Sequence, residues 1–589
     1  MNLIQQLKQT TAQSLQSLYS VQIAPDQVLV NDTKPEFEGD YTIVLFAFVK
    51  QMGKSPDVLG QELGQAMQTA LPNIISDFNI VKGFLNLSIS NAYWFDYIKN
   101  LQADQLLPAT TSPRKIMVEY SSPNTNKPLH LGHLRNNFLG WSIAEILKLQ
   151  GNEVVKTCIV NDRGIHICKS MIAWQLFANG ATPADTHQKG DHFVGDYYVK
   201  YNDAYKAQVA ELVASGMSQE QAEKEAPIQK GAQEMLLKWE QGDAPTIDLW
   251  KRMNSWVYEG FDTTYKKIGS DFVKTYYESN TYLLGKELVE QGLTKKVFYK
   301  KEDGSVWIDL TGDGLDEKIV RRKDGTSVYI TQDIGLAELK QKEFNTDSSI
   351  YVVGDEQNYH FKVLKLICQK LQLPAADGIY HLSYGMVELP TGKMKSREGT
   401  VVDADDLVEE MILISKEKTE SLGKVSDFTQ DQLDTLYNTI GLGALKFFLL
   451  RVDPKKKMIF NPEESIDFHG FTGPFVQYTH ARIKSILRKT GTTVQLNETA
   501  LLPLEKALIK ELSSFPAMVN EAADNLDPSK LAIYAFNVAK LFNSFYAEHS
   551  INNAESDEKK QLRIQLGIIT AATLKTAMSA LGIEVPEQM

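Results

Sequence analysis

The feature that most constrains the fold is a strand, loop, helix and strand pattern between residues 115 and 160. Residues 115–120 (KIMVEY) are typical of a buried strand, and a polar turn follows at 121–127. Apolar residues then recur at helical spacing until Gly151, a typical residue for a helix end. A second apolar run at 154–160 completes the unit, which indicates a parallel sheet covered by helices. The sequence therefore predicts a Rossmann-like α/β domain.

The rest of the chain divides into regions of different pattern. Residues 1–110 predict a small N-terminal α/β domain, with strand-like runs at 28–30, 42–48 and 83–87. We assign residues 111–405 to the parallel-sheet domain, interrupted by a charged helical insertion at about 185–290 that is clearest over 185–260. Residues 406–589 are almost wholly helical in pattern, so we expect a C-terminal all-α bundle. The fold class is thus multidomain α/β.

The cysteines and the lengths of the apolar runs indicate the cellular location of the protein. The only cysteines are Cys158, Cys168 and Cys368, with no C-x-x-C pair, which favours buried free thiols over disulfides or a zinc site. The longest apolar run, residues 43–49, is far shorter than the roughly 20 residues of a membrane-spanning helix. We therefore expect a cytoplasmic protein without a membrane partner.

The loop before the predicted helix carries the strongest chemical signal. Lys127, His130, Gly132 and His133 lie between the first strand and the helix. A helix N-terminus offers unpaired N–H groups and a positive dipole end to phosphate, and Gly132 permits close approach of the backbone. We therefore predict a phosphate-binding turn, against the alternative of a turn with two solvated histidines.

These residues resemble a known family. The sequence HLGH at 130–133 resembles the HIGH signature of class I aminoacyl-tRNA synthetases and the related nucleotidylyltransferases. The wider phrase EYSSPN at 119–124, followed by Lys127 and Pro128, is similar to arginyl-tRNA synthetases in particular. Residues 393–399 (KMKSREG) resemble the KMSKS loop in a variant form.

The variant loop departs from the usual order of residues. Lys395 and Ser396 stand where the family has Ser and Lys, and Arg397 is a second candidate cation. A cationic loop beside a glycine can close over a departing pyrophosphate, whereas the alternative is an exposed basic turn. The sequence does not decide which of Lys393, Lys395 and Arg397 would act.

The resemblance implies an arginine–tRNA ligase. Such an enzyme forms arginyl-adenylate from L-arginine and ATP, releases pyrophosphate, and transfers the arginyl group to tRNA(Arg); family behaviour suggests that activation needs bound tRNA. Mg²⁺ would accompany ATP without a dedicated protein site, and we expect a monomer. The residues implied for ATP binding or catalysis are Pro123, Lys127, His130, Gly132, His133, His360, Lys393 and Ser396.

A guanidinium group needs planar recognition by carboxylates and amide oxygens. Tyr329 and Asp333 are four residues apart, and so share one face if the segment is helical. Polar residues of this kind are also common in ordinary helices and loops. The resemblance adds its own set, and the residues implied to bind arginine are Glu119, Asn124, Asp162, Tyr329, Asp333 and Gln357.

The charge distribution bears on RNA binding. The whole chain carries a formal net charge of −12, which by itself argues against a nucleic-acid partner. Residues 441–490, however, hold nine Lys and Arg against four Asp and Glu, with aromatic residues between them. Within this window GALK at 443–446 resembles the DALR motif of the anticodon-binding bundle.

We predict tRNA contacts at four residues of the basic window: Lys455, Lys456, Tyr478 and Arg482. The alternative is that most of its aromatic residues are bundle core. Two other functions stay open on the sequence: a nucleotidylyltransferase, and an inactive paralogue that serves as an RNA-binding or scaffold protein. A nucleotidylyltransferase would have no use for the basic helical tail, and a dead paralogue would be expected to have lost one of the two histidines.

Overall fold

The structure is a computed structural model that describes residues 3–388, 390, 402–421 and 428–589. An N-terminal domain comes first. Its helices are α1 (Leu3–Tyr19), α2 (Phe46–Met52), α3 (Pro56–Ala70) and α4 (Asn91–Asn100), and its strands are β1 (Val30–Asp32), β2 (Tyr41–Val44), β3 (Ile75–Val81) and β4 (Phe84–Ile89). Within the described residues these strands form an antiparallel sheet in the order β1-β2-β4-β3. The strand predicted at 42–48 is wrong in its second half, because the apolar run turns into α2 after Val44.

The central domain is built on a parallel sheet. Its strands are β5 (Lys115–Glu119), β6 (Glu153–Val160), β7 (Lys274–Tyr277), β11 (Ser348–Gly354) and β12 (Ile379–Tyr384). The described strands are ordered β12-β11-β5-β6-β7 and every neighbouring pair is parallel. Helix α5 (Leu131–Leu149) crosses from β5 to β6, so the predicted strand–loop–helix–strand unit is confirmed.

The connection from β6 to β7 contains the charged helical region. Its helices are α6 (Ile165–Phe177), α7 (Pro183–Thr186), α8 (Gly190–Ala214), α9 (Gln219–Glu225), α10 (Pro227–Glu240) and α11 (Ala244–Ile268). Amphipathic packing explains this layer, since Met253, Val257 and Phe261 of α11 recur at helical spacing and are buried.

The segment that follows β7 was not expected from the sequence pattern. It comprises α12 (Glu278–Thr281), α13 (Lys286–Thr294), β8 (Tyr299–Lys300), β9 (Val306–Ile308) and β10 (Lys318–Arg321), and the three short strands form an antiparallel sheet. Helices α14 (Tyr329–Phe344) and α15 (Asn358–Lys370) then flank β11. Strands of two to four residues leave too little alternation in the sequence to be recognised.

The C-terminal part is helical, as predicted. Its helices are α16 (Ala404–Ser421), α17 (Gln430–Leu450), α18 (Pro462–Ser465), α19 (Gly473–Thr490), α20 (Pro503–Ser513), α21 (Phe515–Asp524), α22 (Pro528–Glu548) and α23 (Asp557–Ala580). Two short strands, β13 (Val387–Glu388) and β14 (Met458–Ile459), pair in parallel and join this bundle to the end of the central sheet. The three cysteines are free and buried, which confirms that expectation.

Candidate active site

The parallel strands bring the predicted site residues to one edge of the sheet. Glu119 is the last residue of β5, Asp162 follows β6, and Gln357 lies in the turn after β11. The chain order of the strands reverses between β5 and β11, and ligands of open α/β sheets bind in the crevice at such a reversal.

The turn after β5 is held by side chains from several elements. Ser121 is completely buried and has a φ of +59°, and its N–H donates to Oδ1 of Asn136 at 2.6 Å. Asn136 lies on α5 and also donates to the carbonyl of Val352 on β11 at 2.7 Å. The Ser121 hydroxyl lies 2.7 Å from that of Tyr265. These bonds hold the turn after β5 and the second turn of α5 against the crevice between β5 and β11.

The two histidines of the HLGH turn orient each other. His130 is the N-cap of α5, and its Nδ1 accepts a hydrogen bond from the N–H of Gly132 at 3.1 Å. The N–H of His130 in turn donates to Nδ1 of His133 at 3.2 Å, and the ring centroids are 3.9 Å apart. A Cβ on Gly132 would lie 3.0 Å from the His130 ring. The close approach that Gly132 permits here is therefore that of the imidazole.

Both histidines are neutral near pH 7. Burial, with the nearby Lys127 charge, lowers the pKa of His130 to about 3, although Asp403 opposes this. Burial, His130 and Lys127 lower the pKa of His133 well below its usual value. Since Nδ1 of each ring accepts a backbone hydrogen bond, the single proton of each neutral ring lies on Nε2. The turn thus offers two neutral N–H donors beside a lysine.

The loop that leads to this turn is paired with the loop after β6. The N–H of Asn161 donates to the carbonyl of Pro123 at 2.9 Å, and the N–H of Thr125 donates to the carbonyl of Asn161 at 3.1 Å. Pro123 is buried, whereas the Asn124 side chain between these bonds is exposed. Asn124 is therefore accessible to a ligand at the sheet edge.

Three of the predicted arginine-binding residues lie around the start of α14 and the turn after β11. Tyr329 is the first residue of α14 and is 74% exposed, and Asp333 follows one turn later. Oδ2 of Asp333 lies 2.6 Å from Nε2 of His360. Gln357 is exposed. The structure thus joins His360, predicted near ATP, to a carboxylate predicted to bind arginine.

Two other predicted arginine ligands already have protein partners. The Glu119 carboxylate is buried and its Oε2 accepts a hydrogen bond from the buried Lys340 ammonium. Asp162 is 1% exposed, and its carboxylate accepts hydrogen bonds from Tyr258 at 2.8 Å and from Ser279 at 2.7 and 2.8 Å. Asp162 therefore does not present a vacant carboxylate to a ligand, because both of its oxygens are engaged.

Glu278 is a candidate that the sequence reasoning missed. It follows β7 directly and so lies at the same sheet edge as Asp162. Burial raises the pKa of Glu278 to about 6; Arg163 opposes the shift, and Asp162 and Asp333 add to it. Within the described part of the chain no side-chain hydrogen bond or ion pair satisfies this carboxylate. The signal in the sequence that could have indicated this candidate is an acidic residue directly after the TYY run of β7.

The predicted loop residues Lys393 and Ser396, together with Lys395 and Arg397, lie outside the described residues. The predicted tRNA contacts are described. Lys455 and Lys456 are exposed beside β14. Arg482 donates to Oδ1 of Asn543 at 2.7 Å, and its guanidinium carbon lies 4.9 Å from the ring centroid of Tyr478.

The basic window is only partly available to a partner. Lys446 is buried and donates to the carbonyl of Gly582 at 2.7 Å, and Arg451 pairs with Glu464. Lys484 pairs with Glu587 at 3.1 Å. Several of its cations therefore serve the bundle itself. Among the helices of the described residues, none is long and apolar enough to span a bilayer.

The chain matches three family descriptions. The family description "tRNA synthetases class I (R), catalytic domain" matches residues 98–461. The descriptions "Arginyl tRNA synthetase N terminal domain" and "DALR anticodon binding domain" match residues 5–89 and 476–589. The chain belongs to the arginyl-tRNA synthetase family. It catalyses the family reaction, in which arginine is activated with ATP as an adenylate and joined to tRNA.

Relatives support the same assignment. The arginine–tRNA ligase of Bacteroides thetaiotaomicron is 50% identical over 98% of both chains, and that of Amoebophilus asiaticus is 51% identical over 100% of both. The arginyl-tRNA synthetase structure of Thermus thermophilus covers 100% of both chains with a TM-score of 0.82 at 24% identity. That of Plasmodium falciparum has a TM-score of 0.76 at 17% identity and covers 100% of this chain and 99% of the other. These two structural likenesses show the fold. Membership of the arginyl-tRNA synthetase family excludes the nucleotidylyltransferase alternative.

Proposed function

We propose that the HLGH turn stabilises the phosphates of ATP while the arginine carboxylate attacks the α-phosphate. The observation that carries this assignment is the pair of neutral imidazoles whose Nδ1 atoms are already bonded to backbone N–H groups. Their Nε2–H groups can donate to a phosphate without any change of protonation. Lys127 supplies the positive charge, and Gly132 makes room for the His130 ring. Donors that are oriented before the reaction stabilise developing charge at little reorganisation cost.

The arginine side chain binds between Asp333 and Glu278 in this proposal. Both carboxylates belong to the same sheet edge, and the charge of Asp333 contributes to the raised pKa of Glu278, which supports a shared pocket. A guanidinium group arriving between them would relieve the cost of the buried Glu278 charge. Tyr329, one turn before Asp333, closes the outer side, and Asn124 and Gln357 are exposed amides suited to the amino acid backbone.

We assign supporting positions to the two carboxylates that have protein partners. Asp162 ties the loop after β6 to Tyr258 of α11 and to Ser279, the residue that follows Glu278. Glu119 is balanced by Lys340, and we propose that it contacts arginine only through Oε1, the oxygen not bonded to that lysine. His360 orients Asp333 through their 2.6 Å bond and stays near enough to the sheet edge to meet ATP.

The remaining substrate contacts belong to residues of the KMSKS-like loop and of the basic window. We propose that Lys393 and Ser396 bind the pyrophosphate side of ATP, with Mg²⁺ entering as part of that substrate and held by its phosphates. Lys455, Lys456, Tyr478 and Arg482 contact tRNA(Arg), whose phosphates need exposed cations and whose bases stack on rings. We further propose a monomer that acts in the cytoplasm, where free cysteines persist; sedimentation of the purified chain at micromolar concentration tests the monomer.

The decisive experiment measures ATP consumption and aminoacyl-tRNA formation with each of the twenty amino acids, with and without tRNA(Arg). Arginine should be the amino acid that supports both. Product with lysine or glutamate and none with arginine would contradict the substrate assignment. No product with any amino acid would favour an inactive paralogue, and His130→Gln serves as the matched control for background activity.

A further inference from the structure

A polar cluster beside the HLGH turn joins three parts of the chain that are distant in sequence. We name it the Asp405 cluster, and its members are Lys189, Asp191, His192, Thr264, Asp403 and Asp405. The Lys189 ammonium donates to Asp405 at 2.5 Å, to Thr264 at 2.6 Å and to Asp191 at 3.0 Å. Thr264 also donates to Asp405 at 2.9 Å. The cluster thus ties α8 and α11, both inserted between β6 and β7, to the first turn of α16.

The ligand types in this cluster resemble those of a cation site. The ligand atoms of Asp191, His192 and Asp405 lie within 4.8 Å of one another. However, the Lys189 ammonium already bridges Asp191 and Asp405, and His192 pairs with Asp403 at 3.1 Å. A divalent ion would have to displace the Lys189 ammonium and break the pair between His192 and Asp403. The cluster therefore carries its own counter-charges, and an organising role fits it better.

The cluster reaches the catalytic turn through two backbone hydrogen bonds. The N–H of Leu131 donates to the carbonyl of Val402 at 3.1 Å, and the N–H of Ala404 donates to the carbonyl of Leu129 at 3.0 Å. These bonds lie on either side of His130 and place it opposite Asp403 in an antiparallel bridge. The position of residues 402–404 therefore fixes the backbone on both sides of His130.

The side chain of Asp403 is held from both ends. Its Oδ1 accepts from the N–H groups of Asp405 at 2.8 Å and Asp406 at 3.2 Å, which caps α16. Its Oδ2 lies 3.1 Å from Nε2 of His192. The helices α8 and α11 are locked together at this point, since Asp191 is completely buried and a Cβ on Gly260 would lie 2.3 Å from its Oδ1.

We propose that α8 and α11 position His130 for the activation step through the Asp405 cluster, with His192 and Asp405 as positioning residues. This gives the helical insertion a function that its sequence did not reveal. The inference rests on the proposed role of His130. A small displacement of the His130 and His133 rings would weaken their hydrogen bonds to phosphate. A shift of about 1 Å in such a group can lower the rate about 100-fold.

The first test uses Asp405→Asn and His192→Gln in the full-length enzyme. We expect kcat for aminoacylation to fall about 10- to 100-fold. KM for arginine should stay within about twofold, because the proposed arginine pocket belongs to other loops of the sheet edge. Lys224→Ala is the matched control, since Lys224 forms an exposed ion pair with Glu220 elsewhere on the insertion.

The second test is a double-mutant cycle with His130→Gln, measured by a sensitive isotope assay of arginyl-tRNA. If the cluster acts through His130, Asp405→Asn should cause no further loss of kcat in the His130→Gln background. Losses that multiply would overturn the inference and leave the role of His130 intact. Full activity of His130→Gln alone would instead overturn the proposed function.

A milder variant keeps the inference testable if Asp405→Asn misfolds. Thr264→Val removes one hydroxyl from the cluster and keeps its charges, and it enters the same cycle if Asp405→Asn does not fold. A loss of kcat that disappears in the His130→Gln background supports the inference, and an unchanged kcat or a multiplicative loss overturns it.

Discussion

The Lys340 ammonium donates a hydrogen bond to the Glu119 carboxylate, and both side chains are almost completely buried. Lys340 also lies over the rings of Tyr276 and Tyr351, at 5.4 and 5.1 Å from their centroids. Removal of the lysine would leave a buried carboxylate without its cation. We therefore expect Lys340→Met to lower the free energy of unfolding by about 3–5 kcal/mol, as measured by urea denaturation.

The double variant Lys340→Met with Glu119→Gln separates charge from packing. It removes both charges and should recover most of the lost stability, because a neutral pair has no uncompensated buried ion. A double variant as unstable as Lys340→Met alone would show that the lysine acts through its packing on the two tyrosines.

In the proposed pocket, Glu278 should make arginine binding depend on pH. Burial raises the pKa of this carboxyl to about 6, so a proton competes with the guanidinium group in the free enzyme. The charged form dominates above pH 6 and the neutral form below it. We expect kcat/KM for arginine to be constant above about pH 7 and to fall as the pH drops through 6, when measured with saturating ATP and tRNA.

Glu278→Gln provides the matching control for that profile. It should raise KM for arginine about 10- to 100-fold, which corresponds to the loss of a charge-assisted hydrogen bond. The ionisation near pH 6 should disappear from its profile. If it persists, another group causes it and Glu278 is not in the arginine pocket.

Asp333 is expected to act on arginine and not on ATP. Asp333→Ala removes the second carboxylate of the proposed pocket and should raise KM for arginine far more than KM for ATP. Glu338→Gln is a suitable control, because Glu338 lies on the same helix and pairs with Lys342 in an ordinary i,i+4 contact. A larger effect on KM for ATP would remove Asp333 from the arginine pocket.

The sequence predicted the parts of this molecule in which residue pattern and local structure agree. The HLGH turn was found because a strand, a loop and a helix with clear periods surround it. Glu278 was missed because β7 has only four residues and follows a long helical connection, so the sheet edge that it shares with Asp162 exists only in the folded chain. The partner of Glu119 could not be found either, since a lysine 221 positions away leaves no local signal.

The neutral state of the HLGH histidines can be tested directly. Because burial lowers the pKa of His130 to about 3 and also depresses that of His133, neither ring should gain a proton between pH 6 and 8. Nitrogen NMR of ¹⁵N-histidine enzyme should show Nε2–H tautomers for both rings at pH 7. Asparagine variants at 130 and 133 assign the signals, and an Nδ1–H tautomer or a charged ring would contradict the proposed phosphate contacts.

Lys455 and Lys456 should contribute to tRNA affinity through phosphate charge. Both are exposed, and the carbonyl of Lys456 accepts a hydrogen bond from the buried Arg135 of α5 at 2.8 Å, so the backbone around them is fixed to the catalytic helix. Each alanine substitution should weaken tRNA(Arg) binding and reduce the slope of log K against log salt by about 1. Lys224→Ala on the insertion is the control. Because alanine keeps the carbonyl that Arg135 binds, KM for arginine should not change; a weaker tRNA complex with an unaltered salt slope would mean that these lysines do not meet phosphates.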